Sequence, residues 1–174
     1  MKIHQNTLQV TIKMANKQKL QKVYMIMAEE ISTLSYCNRQ KVGCIIVKDN
    51  NILSMGYNGT PTSMDNECED ITTDLYLKNI GIDEEISTTK WYVLHAESNA
   101  LMKIATSTQS SVGSILYTTV SPCKECAKLI IQAGIKEVIY KSIYRNSPEL
   151  AYESIDLLRQ AGVKVYNINT KTTG

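Results

Sequence analysis

The sequence lacks any run of about 18 apolar residues, and with it a helix able to span a membrane. An apolar signal core is missing too. Met1 to Asn16 mixes lysine, glutamine and asparagine into its apolar residues and does not read as a secretion signal. Net charge is small, +2, where a protein that tracks a long phosphate backbone usually shows a stronger basic excess. No internal repeat and no low-complexity tract is present. Phenylalanine is absent, and ten tyrosines stand in its place. They are expected in the core or at its rim with their hydroxyls satisfied. The five cysteines, Cys37, Cys44, Cys68, Cys123 and Cys126, are an odd number. Without a secretion signal they read as thiols or metal ligands rather than a disulfide frame, in a cytoplasmic protein.

What is present is one ordinary domain. The 174 residues suffice to bury a real core. Charge is unevenly placed: residues 1–22 hold five lysines and no acid, and residues 65–85 hold eight acids and one lysine. Both stretches read as solvated surface.

Apolar spacing predicts a helix over 17–35, after an N-terminal extension of residues 1–16. Val42 to Lys48 and Ile52 to Tyr57, split by Asp49-Asn50-Asn51, predict a hairpin. Residues 58–92 lose periodicity and predict a long loop or insertion, over about 60–92, with some helix of its own. Helix 95–106, strand 115–120, helix 123–133, strand 137–140, helix 148–160 and strand 163–167 follow. The later βαβα alternation implies parallel strands with helices packed on them.

Chemistry is carried by two short segments. Cys123 and Cys126 stand three apart at a predicted helix start. Residues i and i+3 share a helix face, so both sulfurs can reach one ion. The helix N-terminus favours thiolates. A Cys-x-x-Cys pair alone also fits a redox pair, half a structural zinc site or two buried thiols. His95, at another predicted helix start, supplies a third ligand. Two thiolates and an imidazole match a catalytic zinc, which leaves its fourth position to water. A closed structural site would want a fourth ligand, and Cys37, Cys44, Cys68 and His4 offer no matching spacing. Glu97 can reach the same water, take its proton and pass it to a ring nitrogen and departing ammonia. His-x-Glu followed by Pro-Cys-x-x-Cys is the signature of zinc deaminases acting on nucleobases.

Further segments surround that motif. They are Ser35 to Arg39 before Val42-Gly43, then Gly56-Tyr57-Asn58-Gly59, His95 to Ala100, Tyr117 to Cys123, Gln132 to Ile135, and Tyr144-Arg145 with Pro148. On these residues the chain resembles, over roughly 17–168, the cytidine-deaminase-like superfamily. Within it the chain looks like the deoxycytidylate (dCMP) deaminase family, phage and bacterial members in particular. The resemblance implies an α/β fold: a three-layer α/β/α arrangement with a mixed five-stranded sheet and helices on both faces. It implies hydrolysis of dCMP to dUMP and ammonia, with one catalytic zinc on His95, Cys123 and Cys126 and proton transfer by Glu97.

The resemblance also assigns substrate contacts. Asn58 would bond the deoxyribose or base, or serve as a turn residue at positive φ. Arg39 would hold the 5′-phosphate, with Ser35, Tyr144 and Arg145 helping, or form a surface ion pair. Tyr117 would end near the pocket or pack in the core. Family members are commonly hexamers, activated by dCTP with magnesium and inhibited by dTTP. That places a regulatory site near Gly56, Tyr57, Asn58 and Gly59, with Asn66 and Asp70 in an acidic stretch that either holds Mg2+ or is a solvated turn. Some phage relatives carry a second, structural zinc on cysteines like Cys37 and Cys68. Here no cysteine or histidine lies between Cys68 and His95, so one zinc per subunit is expected. Cys44 would be a buried apolar thiol. No membrane or nucleic-acid partner is expected. The rival readings are a tRNA or other nucleic-acid deaminase, and a non-enzymatic zinc-binding regulator of the same fold.

Overall fold

A computed structural model describes residues 2–73, 85–144 and 148–170. Helix α1 spans Lys2–Ser32. It starts well before the predicted residue 17, because no Gly or Pro interrupts residues 2–16. The segment expected as an extension is therefore helix.

β1 (Gly43–Lys48) and β2 (Asn51–Tyr57) form the predicted hairpin. Lys48 faces Asn51, so Asp49 and Asn50 make a two-residue loop at φ 49° and 64°. That left-handed pair matches strand twist, and Asp and Asn tolerate it. β5 (Ile115–Val120), β6 (Glu137–Ser142) and β7 (Lys164–Asn167) complete the main sheet. Its order is β2-β1-β5-β6-β7. β1 runs antiparallel to β2 and β5, while β5, β6 and β7 are parallel. The parallel strands are joined by α3 (Lys124–Gln132) and α4 (Pro148–Gln160), and α2 (Ala96–Ala105) precedes β5.

Strand alternation sends successive side chains to opposite faces. Ile45, Val47, Tyr117 and Ile139 pack under Tyr24, Met25 and Ala28 of α1. Cys44, Ile46, Leu116, Val138 and Tyr140 pack under α2, α3 and α4 through residues such as Ala100, Ala127, Ile130 and Leu158. The result is the expected three-layer α/β/α fold with a mixed five-stranded sheet. Cys44 is fully buried, and burial pushes its thiol well up.

The insertion departs from expectation. Its described part holds a separate antiparallel pair, β3 (Glu69–Thr73) and β4 (Glu85–Thr89). Threonine and isoleucine favour extended backbone there, although the exposed faces hide the alternation. The helix expected within the insertion has no counterpart among the described residues, and residues 74–84 lie outside them.

One close approach fixes α2. A Cβ on Gly56 would lie 2.2 Å from the Ala96 carbonyl oxygen, so only glycine lets β2 and α2 meet. Ser54 Oγ donates to the Ala100 carbonyl at 2.8 Å, and Asn99 Nδ2 donates to the Tyr57 carbonyl at 2.8 Å. Gly56→Ala is expected to cost about 1–3 kcal/mol by forcing the helix off the strand. Denaturant unfolding checks this, and an unshifted midpoint would refute the tight-contact account.

Candidate active site

Two helix starts converge at one end of the sheet. His95 is the N-cap residue of α2, yet its side chain makes no capping hydrogen bond, which leaves the imidazole available. Cys123 is the N-cap of α3, and Cys126 lies one turn on. The Cys126 amide donates to Cys123 Sγ at 3.5 Å, so the helix start feeds positive dipole to the sulfur. His95 Nδ1 lies 3.3 Å from Cys123 Sγ and 3.4 Å from Cys126 Sγ. The three donor atoms all lie within 4.8 Å of one another.

These spacings fit zinc. Bonds of about 2.3 Å to sulfur and 2.0–2.1 Å to nitrogen at tetrahedral angles put N and S about 3.5 Å apart. Two soft sulfurs and one imidazole are a zinc donor set, not one for calcium or magnesium. Among the described residues this is the one such group of three.

Glu97 sits in the first turn of α2 and is buried, 4 % exposed. The Cys126 thiol donates to Glu97 Oε2 at 3.6 Å. Burial pushes the Glu97 carboxyl above the usual carboxylate range. Hydrogen bonding from Cys126, and then from His95, brings Cys123 down to about 4. The same shared bond, with burial, pushes the Cys126 thiol up. The Cys123 bond also raises His95. Loading a metal therefore means removing the Cys126 proton.

A cavity of about 180 Å³ opens above the cluster. Arg39, Asn58, Glu69, Thr89 and Tyr144 line it together with His95, Glu97 and Cys123. Asn58 is buried and reaches across to the chain before β1. Its Oδ1 accepts from the Val42 N–H at 2.8 Å, and its Nδ2 donates to the Gln40 carbonyl at 2.8 Å. Asn58 is not among the positive-φ residues, which corrects the turn reading. Arg39 is exposed, and its Nη1 donates to Thr89 Oγ1 at 3.1 Å. The Tyr144 N–H donates to Ser121 Oγ at 3.1 Å.

Other expected residues are elsewhere. Tyr117 belongs to the opposite face of the sheet, with its ring 5.3 Å from that of Tyr24. Its place in β5 gives it the parity of Ile139, not of Leu116, so it does not reach the cavity. Ser35 is buried behind Asn58. Its Oγ donates to the Asn58 carbonyl at 2.8 Å and accepts from the Cys37 N–H at 3.2 Å, so it supports the wall rather than touching a ligand. Gly56 and Tyr57 meet α2, and Gly59 bridges to Leu94. Asn66 and Asp70 are exposed and outside the cavity lining, with Asp70 3.9 Å from Lys90 Nζ. Arg145 lies outside the described residues.

The cysteine reading needs one correction. Cys37 and Cys68 are not free thiols or ligands but a disulfide, with Cα atoms 5.1 Å apart. Both are buried where the chain after α1 meets the insertion. Sequence reasoning also missed Glu69 and Thr89. Only a pairing of Cys37 with Cys68 would have brought Glu69 to the site.

The family model for the cytidine and deoxycytidylate deaminase zinc-binding region matches residues 4–142. The chain belongs to this family. The deoxycytidylate deaminase of Enterobacteria phage T4 is 31% identical over 169 residues, covering 81% of this chain and 86% of its own length. The human deoxycytidylate deaminase is 40% identical over 127 residues, covering 72% and 66%. Among solved structures, the dCMP deaminase of cyanophage S-TIM5 in complex with dCMP and dUMP has a TM-score of 0.71 at 42% identity, covering 86% of this chain and 96% of that one. A structure from work on tRNA:A34 deaminases, at 19% identity and a TM-score of 0.52, shares the fold alone.

The wall of this deaminase site makes a test of its own. Asn58→Ala leaves the Val42 N–H and the Gln40 carbonyl unpaired, at a cost of about 1–3 kcal/mol. Unfolding midpoints for wild type and variant check this, and an unshifted midpoint would count against it.

Proposed function

We propose that this chain hydrolyses dCMP to dUMP and ammonia, with one zinc ion held by His95, Cys123 and Cys126. The convergence of those three donors beside a buried Glu97, with His95, Glu97 and Cys123 lining a cavity, carries the proposal. Bound there, zinc supplies an activated water. Glu97 then moves two protons in turn: its Oε2 takes the first from the water and delivers it to N3 of the cytosine ring, then takes the second from the hydroxyl left on C4 and delivers it to the departing amine. Burial raises its carboxyl above the usual carboxylate range, which eases both taking and giving a proton. The wall bonds already hold the Asn58 amide rigid. Its second Nδ2 hydrogen and remaining Oδ1 lone pair can orient the sugar or base. Arg39 offers the guanidinium fork for the 5′-phosphate, and Tyr144 lines the same cavity.

Glu97→Ala is expected to keep its zinc and lose about 10²–10⁴-fold in turnover. Cys126→Ser is expected to lose the metal itself. Metal analysis together with ammonia release from dCMP, cytidine, dCTP and single-stranded DNA, each offered separately, decides the matter. Normal dCMP turnover by Glu97→Ala sinks the mechanism, and turnover of nucleic acid alone sinks the substrate.

We also propose that dCTP with Mg2+ activates the enzyme, that dTTP inhibits it, and that the assembly is a hexamer. The family resemblance motivates this. The connection of Gly59 to Leu94, one residue before His95, supports it by giving the Gly56 to Gly59 segment a mechanical route to the metal site. Effector binding there is expected to shift half-saturation by dCMP, down with dCTP and up with dTTP. Initial rates with and without each effector, read beside the solution mass, check this, and rates indifferent to both would refute it.

A further inference from the structure

The insertion ends its β3–β4 ladder in one cross-strand pair, Glu69 opposite Thr89. Both residues line the cavity. Glu69 Oε1 accepts from the backbone N–H of Asn38 at 2.9 Å and of Arg39 at 3.2 Å. Thr89 Oγ1 accepts from Arg39 Nη1 at 3.1 Å. One member of the pair thus holds the main chain of Arg39, and the other holds its guanidinium. The Cys37–Cys68 cross-link ties the same two segments one residue before Glu69 and two before Arg39.

The charge arrangement decides what this clamp is for. The Glu69 carboxylate bonds to main-chain N–H groups, and no carboxylate among the described residues forms an ion pair with Arg39. Arg39 is held in place without being neutralised. Thr89 is a neutral acceptor and takes one of five guanidinium N–H donors, which leaves a fork free for an anion. A long exposed side chain loses rotamer freedom when it grips a ligand, and fixing it beforehand removes that cost from binding.

We propose that Glu69 and Thr89 are positioning residues that set Arg39 to read the substrate's 5′-phosphate. The insertion thereby sets the preference for nucleotide over nucleoside. This rests on the reading of dCMP as substrate. Glu69 and Thr89 act through Arg39 and touch no reacting atom. The N–H groups that Glu69 holds are exposed, so water replaces it in a variant and the fold survives.

The test compares dCMP with deoxycytidine in Glu69→Ala, Thr89→Val and Glu69→Gln. Glu69→Ala is expected to raise KM for dCMP about tenfold, more than it lowers kcat, and to cut the dCMP-to-deoxycytidine ratio of kcat/KM about tenfold. Thr89→Val shifts the ratio in the same direction. Glu69→Gln keeps an oxygen acceptor for both N–H groups and is expected to restore most of the ratio. An unchanged ratio in Glu69→Ala, or equal losses on both substrates, overturns the proposal. Calorimetric binding of dCMP and deoxycytidine reads the clamp without turnover. A wild type that binds dCMP but does not deaminate it fails the activity reading alone. The clamp then stands if Glu69→Ala weakens dCMP selectively, and falls if both ligands weaken equally or if the wild type binds no dCMP.

Discussion

The contact between bare backbone at Gly56 and the first turn of α2 sets the position of everything that reacts. With no side chain between them, β2 and α2 lie close enough for Ser54 and Asn99 to bond across the junction. His95 and Glu97 ride on that turn, so their place is defined relative to the hairpin. Cys123 and Cys126 ride on α3, which leaves the end of β5. β1 pairs with both β2 and β5, and this shared neighbour brings the two helix starts together. A metal site assembled from two segments 28 residues apart thus depends on ordinary sheet register.

The site is electrostatically expensive without an ion. A buried carboxylate, two sulfurs and an imidazole crowd one pocket. The chain meets that cost by keeping the Cys126 thiol protonated beside both Cys123 and Glu97, and by lowering Cys123 through its bond from that thiol. A divalent cation replaces this compromise with direct charge neutralisation, which favours loading. Burial, more than those neighbours, raises the Glu97 carboxyl above its usual range. A group proposed both to take and to give a proton gains from that shift.

Much of this was legible in the sequence, for identifiable reasons. Helix and strand periods in 95–106, 115–120 and 148–160 are strong, and those elements fall within a residue of the expected bounds. Cys123 and Cys126 were legible because a helix start presents i and i+3 together, and His95 with Glu97 because they complete the His-x-Glu … Pro-Cys-x-x-Cys pattern, although sheet register is what brings the two turns together. Tyr117 was not legible from segment resemblance. A strand reverses faces at each residue, and parity within β5 turns Tyr117 toward Tyr24. Ser35 lies next to the cavity in the chain but spends its hydroxyl on Asn58. The Cys37–Cys68 bond escaped because cysteine usage was read from compartment and count. Yet the two zinc thiolates and the core thiol Cys44 leave one pair over.

The division between legible and hidden residues follows the division of labour in the site. The groups that perform chemistry come as short local spacings, because one helix turn can fix them. The groups proposed to recognise substrate are joined across long separations. Arg39 meets Glu69 and Thr89 from 30 and 50 positions away, and Asn58 reaches Val42 from 16. Such contacts exist only once strands have paired, so no window of sequence displays them. A fold of this kind can therefore keep its reaction while its insertion remodels what it reads. The metal turn is held by the hairpin and the sheet, and the insertion meets that frame at the cavity's outer wall, through Arg39, Cys37 and the residues leading to His95.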